Sequence, residues 1–381
     1  MQGLKNVVVV GGSYVGSGTA TKLASALPPG YRPRFAIVPK HEHKAFIPYT
    51  HLFAPIPSPH SHAVIQAKAI DVDSHRVYLD RPAWHGREEV EYEFLVVASG
   101  TRLPSPGSMQ DDHKLGGVGF FKTYQQGVQN AQEIVIVGGG AVGVQMMLDM
   151  KEVYPGKQVT LVHSRERVMN RFHQALDGIV RKRCEELGVQ LVTGQRVVVP
   201  EQGFATDGTR TEVQLADGRK IPADLVILAT GQIPNTQLLQ TLNGTTTDPS
   251  TSIINPSNGF LRVRPTLQLL NPQYSHIFAL GDVADTGAPK AARPGMMQAD
   301  VVVQNVLSLI EGKEAEKEME VGPAAIHLTL GLTQNVIFRN PIEPGGEPMI
   351  KMRDDGQEDM GIEGVWTRRG FQIKDMAEYH L

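Results

Sequence analysis

Short runs of β-branched residues, each followed by glycines and then by a helical pattern, organise the chain. Residues 7–10 are four consecutive valines, which is typical of a strand buried on both faces of a parallel sheet. The glycine-rich segment 11–16 follows, and residues 19–27 have helical character. Pro-Pro-Gly at 28–30 ends this helix, and residues 34–38 predict the next strand. The start of the chain therefore predicts a β-α-β unit.

The same order recurs between residues 133 and 163. An Ile-Val-Ile-Val run at 134–137 leads into a complete G-x-G-x-x-G at 138–143, and the next strand is predicted at 158–163. Such a turn brings backbone N–H groups and a helix dipole against a pyrophosphate, with no side chain in the way. One glycine fingerprint is weak, because such turns also join strands to helices for steric reasons. Two copies predict two dinucleotide sites.

Three further segments end at positions that suit a ligand. Residues 93–100 and 224–231 are apolar strands that end in Ala-Ser-Gly and Ala-Thr-Gly, where small side chains let a strand end approach a nucleotide. An ordinary strand exit is the alternative. Residues 277–282 form an apolar strand that ends in Asp282, which would bind ribitol hydroxyls or cap a helix. We therefore predict an α/β protein with two Rossmann-like dinucleotide-binding domains.

Composition narrows the chemistry. The 381 residues are enough for two to three domains, and 37 basic against 40 acidic residues give a net charge of −3, so we expect no nucleic-acid partner. The single cysteine, Cys184, excludes an internal disulfide and a CxxC pair, so redox chemistry needs a bound cofactor. No apolar stretch approaches the ~18 residues of a membrane span, and the valine run is short for a signal peptide. We expect no transmembrane span and a cytoplasmic location.

Two polar segments raise questions of ligand choice. The stretch at 163–167 offers hydroxyl and positive charge suited to a 2′-phosphate, so NADPH is slightly favoured over NADH; solvated surface is the alternative. Its candidate residues are His163, Ser164, Arg165 and Arg167. Five histidines lie between residues 41 and 62, at positions His41, His43, His51, His60 and His62. Without cysteines or a carboxylate pair beside them, they predict a surface loop and no metal site.

These motifs together carry a family resemblance. The two glycine turns, ASG at 98–100, ATGQIPN at 229–235 and GDVAD at 281–285 occur in the order of the two-dinucleotide-binding-domain flavoproteins, the pyridine-nucleotide reductases. The absence of CxxC, together with HSRER at 163–167 and the GQIPN ending, most resembles the apoptosis-inducing-factor-like branch, which includes ferroptosis suppressor protein. The resemblance implies an FAD domain at 1–117 and 251–320, an NAD(P)H domain at 118–250 and a C-terminal segment at 321–381.

The resemblance also implies roles for single residues. FAD would be held at its pyrophosphate by the first turn and at its other end by the ASG and GDVAD motifs, through Gly11, Gly12, Ser13, Val15, Gly16, Ser99, Gly100, Gly281 and Asp282. NAD(P)H would be held by Gly138, Gly140, Ala141, Val142 and Gly143, with Gly231 on the nicotinamide side. Pro48 or Tyr49, and Lys290 from the opposite side, would approach the flavin ring; an exposed loop residue without a role is the favoured alternative for Lys290. The resemblance assigns no catalytic acid or base.

Three positions depart from the family pattern. Ser13 replaces the middle glycine of the first turn, and its small side chain is tolerated there. Val38, Pro39 and Lys40 stand where a carboxylate usually binds the adenosine ribose, which leaves Lys40 as the candidate at that position and predicts loosely held FAD. Gln145 replaces a glutamate that many relatives carry near the nicotinamide, which predicts a slower or lost reaction with NAD(P)H.

The C-terminal segment is the least informative part. Residues 343–359 are rich in Gly, Pro and charge and predict a loop, whereas the late apolar residues predict a final strand and helix against the FAD domain; these are Trp366, Phe371, Ile373, Met376 and Tyr379. A membrane-touching or quinone-admitting surface flanked by Arg368, Arg369 and Lys374 is the alternative.

Two functions follow from the whole sequence. The first is an FAD-dependent NAD(P)H oxidoreductase that passes electrons to a quinone, oxygen or a small metabolite, including a role as a metabolic tailoring enzyme. The second is a flavin- or nucleotide-binding protein with weak or lost redox turnover that acts through partners. We also allow for a homodimer.

Overall fold

The computed structural model describes residues 6–24, 41–54, 62–104, 109, 111–205, 208–244 and 250–380. The helices are α1 (Tyr14–Ala24), α2 (Lys114–Asn130), α3 (Ala141–Val153), α4 (Gln174–Leu187), α5 (Gln240–Asn243), α6 (Ala292–Ile310) and α7 (Ile362–Arg368). The strands are β1 (Val7–Val10), β2 (Ala69–Val72), β3 (Arg76–Leu79), β4 (Glu89–Glu91), β5 (Phe94–Val97), β6 (Thr101–Arg102), β7 (Glu133–Val137), β8 (Gln158–Val162), β9 (Gln190–Val192), β10 (Thr211–Gln214), β11 (Lys220–Ala223), β12 (Leu225–Leu228), β13 (Ile233–Pro234), β14 (Leu261–Arg262), β15 (Ile277–Ala279), β16 (Ala284–Asp285), β17 (Ala325–Thr329), β18 (Gln334–Arg339) and β19 (Met349–Asp354).

The first parallel sheet contains strands that lie far apart in the sequence. Its order is β1-β5-β15, with Val8 paired to Leu95 and Leu95 paired to Ile277. Helices α1 and α6 pack on each other, and Val15 of α1 lies against Gly295, where an added Cβ would come within 2.5 Å of the valine side chain. The expected strand at 34–38 lies outside the described residues.

The second parallel sheet is continuous in sequence. Its order is β12-β7-β8-β9, with Ile136 paired to both Ile227 and Leu161. The apolar strands and the methionine-rich helix α3 form one buried core with α4. Because each strand is covered by helices or loops, its residues are nearly all apolar, as the sequence predicted for a parallel sheet. The two-sheet α/β architecture is confirmed.

The C-terminal segment divides between the two halves of the molecule. Strands β17, β18 and β19 form an antiparallel sheet, and Leu328 and Phe338 join the core of the second sheet. Helix α7 and the 3₁₀ helix Met376–His380 instead pack on α2 and on residues 45–47, through Trp366. The loop predicted at 343–359 is wrong for residues 349–354, where β19 pairs in full register with the edge of β18, whereas the residues on both sides of β19 are turns and irregular structure. The predicted final helix is present as α7, which carries Trp366, but the predicted final strand is wrong. Phe371 and Ile373 lie in an irregular segment after α7, Tyr379 lies in the 3₁₀ helix, and Met376 is 54% exposed.

Two contacts bear on the predicted domain limits, which remain a prediction. Helix α2 runs across the limit between residues 117 and 118. Leu239 and Leu242, before residue 250, share a core with Val72 and Val77 of the β2-β3-β4 sheet. Among the described residues, no helix is long and apolar enough to cross a bilayer.

Candidate functional site

The first glycine turn is closed against the strand beside it. Gly11 has φ +125°, and a Cβ added there would overlap the carbonyl oxygen of Ala98. A Cβ at Gly16 would overlap the carbonyl oxygen of Gly11, and the Ala98 amide donates to Val10 at 2.8 Å. Gly12 and Ser13 are exposed. The turn therefore needs glycine at both its ends and leaves its middle open to a ligand.

The second turn repeats this arrangement residue by residue. Gly138 has φ +122°, and a Cβ there would overlap the carbonyl oxygen of Ala229. A Cβ added at Gly143 would overlap the carbonyl oxygen of Gly138, and the Ala229 amide donates to the Val137 carbonyl at 2.8 Å. Gly140 is exposed, and nothing lies within 4 Å of a Cβ added to it. Ala141 and Val142 begin helix α3 beside this opening.

The segments ASG (98–100) and ATG (229–231) end in glycines of the same conformation, and the residues around them are joined by hydrogen bonds. Gly100 and Gly231 have φ of +63° and +64°. Ser99 Oγ donates to the Asn235 carbonyl at 2.8 Å, and Asn235 Nδ2 donates back to the Ser99 carbonyl at 2.9 Å. Strands β6 and β13 pair directly beyond these residues. The ends of both motifs are therefore tied together, and the Ser99 hydroxyl already has a partner.

His163 lies on the second turn. The Gly139 amide donates to His163 Nδ1 at 3.0 Å, and a Cβ added to Gly139 would lie 2.8 Å from the ring. Burial, with Arg165 as a further cause, lowers the pKa of His163, which keeps the ring neutral and Nδ1 free to accept. Ser164, Arg165 and Arg167 are exposed. His163 thus supports the turn, while the exposed residues remain candidates for a 2′-phosphate.

Asp282 and Lys290 are half-buried charged residues in the segment that follows β15. Gly281, at φ +71°, donates its amide to Gln298 Oε1 at 2.7 Å and begins the 3₁₀ helix that carries Asp282. Burial raises the pKa of Asp282, and the charge of Lys290 opposes that rise. The ammonium of Lys290 donates to the Ala284 carbonyl and lies 4.4 Å from the centre of the Phe260 ring.

The alternative of an exposed loop lysine is wrong for Lys290. Its side chain is half-buried, and burial lowers its pKa while Asp285 and Asp282 oppose that change. Gln232, from the end of the second sheet, places its amide nitrogen 3.5 Å from an Asp282 oxygen. Residues from both halves of the molecule therefore meet at this point.

The segment 41–54 bridges the first turn and the C-terminus, a link that the sequence did not reveal. Pro48 is half-buried, and the neighbouring Tyr49 donates its hydroxyl to the Gly12 carbonyl. Arg369 donates from Nη2 to Ser17 Oγ at 2.9 Å, and its guanidinium lies 5.8 Å from the centre of the Tyr49 ring. The sequence signal for this contact is the cluster of aromatic residues near the C-terminus, Trp366, Phe371 and Tyr379, which packs helix α7 against residues 45–47.

Three of the described histidines between residues 41 and 62 have separate neighbours. His43 stacks on His380 at 3.6 Å between ring centres, His51 stacks on Phe371 at 4.4 Å, and His62 lies 5.1 Å from Phe53. No group of three metal-ligating side chains occurs in the part of the chain that the structure describes. His60 and the predicted ribose contact Lys40 lie outside the described residues.

Gln145 and Cys184 lie in the second half. Gln145 donates its amide to Thr329 Oγ1 at 2.8 Å, which ties α3 to β17. Cys184 is 1% exposed, and burial raises the pKa of its thiol to about 12. A buried protonated thiol is a poor nucleophile, so this cysteine does not serve a dithiol relay.

The two turns fit the pyrophosphates of two dinucleotides. Each excludes a Cβ at its first and last glycine and exposes the middle, which is the form that a phosphate approaching backbone N–H groups requires. Two such turns on two parallel sheets are the architecture of a protein that binds two dinucleotides. Residues 58–305 match the family model described as "Pyridine nucleotide-disulphide oxidoreductase", and the chain belongs to that family. It is an oxidoreductase that uses FAD and NAD(P)H.

Several relatives are similar over most of the chain. Fe-regulated protein 8 of Mycosarcoma maydis is 32% identical, with 98% of this chain and 96% of the relative aligned. Ferroptosis suppressor protein 1 of Taeniopygia guttata is 28% identical, over 88% of this chain and 89% of the relative. The solved sulfide:quinone oxidoreductase of Aquifex aeolicus has a TM-score of 0.65 at 18% identity, covering 96% and 90% of the two chains, and shows the shared fold. The resemblance to flavoproteins of the apoptosis-inducing-factor type is confirmed.

Proposed function

We propose that the first glycine turn holds FAD, the second holds NAD(P)H, and the chain passes electrons from the nucleotide to a small-molecule acceptor. The observation that carries this proposal is the duplicated turn: Gly11 and Gly16 lie against Ala98 as Gly138 and Gly143 lie against Ala229. Each turn lies at the carboxyl ends of its own parallel sheet, where α/β folds bind nucleotides.

The proposed contacts comprise the two turns and the residues of the neighbouring motifs. For FAD they are Gly11, Gly12, Ser13, Val15, Gly16, Pro48, Ser99, Gly100, Gly281, Asp282 and Lys290; for NAD(P)H they are Gly138, Gly140, Ala141, Val142, Gly143, Ser164, Arg165 and Gly231. We propose the same division for the domains, with FAD at 1–117 and 251–320 and NAD(P)H at 118–250. Lys40, a homodimer and a cytoplasmic location stay predictions.

The chain's own residues set the conditions for electron transfer. Bound FAD and NAD(P)H supply the redox chemistry, a hydride transfer from nicotinamide to flavin. The positive charge of Lys290 would stabilise negative charge on a reduced flavin ring. The contact of its ammonium with the Ala284 carbonyl holds the ammonium in place. The pairing of Ser99 with Asn235 keeps the exits of both motifs adjacent. Position and charge are therefore the chain's contribution.

The acceptor is proposed to be small and diffusible. The one cysteine, Cys184, is buried and protonated, so no thiol pair of this chain can receive electrons from the flavin. We propose a quinone, oxygen or a small metabolite as the acceptor.

Anaerobic reduction of the purified full chain tests the proposal. We expect a yellow protein whose flavin absorbance bleaches within seconds of adding NADPH or NADH and returns when a quinone or oxygen is added. Colourless protein that stays inert when FAD is supplied would overturn it and would favour a binding protein without redox turnover. Naphthoquinone and ubiquinone analogues, assayed separately, then rank the acceptors.

A further inference from the structure

The C-terminal segment brings a cation to the edge of the first glycine turn. Arg369 follows helix α7 directly, and its Nη2 donates to Ser17 Oγ at 2.9 Å on the first turns of α1. Its guanidinium lies over the Tyr49 ring, whose hydroxyl donates to the Gly12 carbonyl. Arg369 is therefore one side chain away from the backbone of the turn.

Arg369 has no acidic partner among the described residues. Lys44, a nearby cation, is paired with Asp359 at 2.7 Å, whereas the Arg369 guanidinium contacts a neutral hydroxyl and an aromatic face. Its side chain is half-buried, so its charge is screened by solvent less than that of an exposed arginine. A half-buried guanidinium without a carboxylate is a ready partner for an anion, since its planar fork matches phosphate oxygens.

The surrounding contacts hold Arg369 at this place. Trp366, fully buried, donates its indole N–H to the Lys44 carbonyl at 2.9 Å. Phe371 stacks on His51 at 4.4 Å between ring centres, and Lys44 pairs with Asp359. The residues on both sides of Arg369 are thus anchored to the segment 41–54, which itself contacts the turn through Tyr49. Fixed side chains lose little conformational freedom when a ligand binds.

We propose that Arg369 is a binding residue for the pyrophosphate of FAD and that the C-terminal segment completes the FAD site. This inference rests on the proposed function, because it assumes that FAD occupies the first turn. The flavin dinucleotide carries two negative charges at its pyrophosphate, and helix α1 has no basic residue in its first turn to meet them. Arg369 supplies that charge from the other end of the chain.

The test compares two neighbouring arginines in the full-length protein. Arg369→Ala is expected to raise the Kd for FAD about 10- to 100-fold, the loss typical of a charge-assisted hydrogen bond. Arg368→Ala is the matched control, because Arg368 is exposed and one residue away; we expect its Kd for FAD to equal that of the wild type. Flavin retained per mole of protein and titration of FAD into the stripped protein both report the change.

Two further measurements separate a phosphate contact from a structural one. The Kd of the wild type is expected to rise more steeply with salt than that of Arg369→Ala, and Arg369→Lys is expected to recover part of the lost affinity because it keeps the charge. An unchanged Kd in Arg369→Ala, or a loss with unchanged salt dependence and no recovery by lysine, would overturn the proposal. If the wild type binds no FAD, the proposed function itself fails.

Discussion

The two glycine turns are built alike but are covered by different parts of the chain. In the second turn the second residue, Gly139, is buried under His163, which lies on the adjacent strand exit 24 residues away. In the first turn the equivalent Gly12 is exposed and touches Tyr49, which in turn lies under Arg369. The second site is therefore completed locally, and the first only when the far end of the chain has folded onto it.

The largest effect is expected from the glycines that both turns share. Gly11→Ala and Gly138→Ala each add a Cβ that overlaps a carbonyl oxygen at a positive φ, a cost of about 3 kcal/mol, or about 100-fold in affinity. Titration should show FAD binding lost in the first variant and NAD(P)H binding lost in the second. Gly156→Ala is the control, because nothing lies within 4 Å of a Cβ at that site. Equal loss of both nucleotides in either variant would contradict separate sites.

The next largest effect is expected from His163, which accepts a hydrogen bond from the second turn and has no counterpart at the first among the residues that the structure describes. His163→Ala leaves the Gly139 amide without its acceptor, and we expect the Kd for NADPH to rise about 10-fold, from a loss of about 1 to 2 kcal/mol. His163→Asn keeps an acceptor at the position of Nδ1 and should retain most of the affinity. Unchanged FAD binding in both variants would show that the effect is confined to the second turn.

The lowered pKa of His163 makes the stability of the protein depend on pH. Burial in the folded protein lowers this pKa below its ordinary value of about 6.5, so above that pH the imidazole is neutral in both the folded and the unfolded chain. As the pH falls below about 6.5, the unfolded chain binds the proton first, and the free energy of unfolding decreases until the folded pKa is passed. Denaturant unfolding measured across this window should show the decrease in the wild type and a smaller one in His163→Asn.

A smaller effect is expected from the exposed residues beside His163. Arg165→Ala should weaken NADPH about 10-fold and leave NADH unchanged, because the guanidinium would contact the 2′-phosphate that only NADPH carries. Arg219→Ala, an exposed arginine of the β10-β11 hairpin, is the control. Equal Kd values for NADPH in Arg165→Ala and the wild type would remove this residue from the nucleotide site.

The smallest effect is expected from exchanging the middle residues of the turns. Ser13→Gly makes the first turn resemble the second, and Gly140→Ser does the reverse. Both positions are exposed and no atom lies within 4 Å of a Cβ at Gly140, so each change should alter affinity by less than about fivefold, below ~1 kcal/mol. A large loss in Gly140→Ser would show that a phosphate approaches that backbone more closely than the first turn allows.

The sequence revealed those features that depend on neighbours along the chain. The valine run, the two glycine turns and the ASG and ATG endings are local patterns, and the structure places them at the expected strand ends. A steric demand such as that at Gly11 or Gly138 leaves its mark directly as glycine. Local patterns of this kind predicted the fold and the two turns.

Contacts between distant segments were not predictable in this way. Arg369 meets Ser17 across 352 positions, and Lys44 meets Asp359 across 315, and neither pair has a spacing that identifies its partner. Strand β19 was missed because its residues are all exposed and its pairing with β18 alone defines it. Where long-range packing decides, composition and periodicity carry little information.

Anaerobic reduction of paired variants tests whether each turn holds its own nucleotide. We expect Gly138→Ala to purify yellow, to be bleached by dithionite and not to be bleached by NADPH, whereas Gly11→Ala should purify colourless and still bind NADPH. A Gly138→Ala protein that NADPH bleaches at the wild-type rate would contradict the claim.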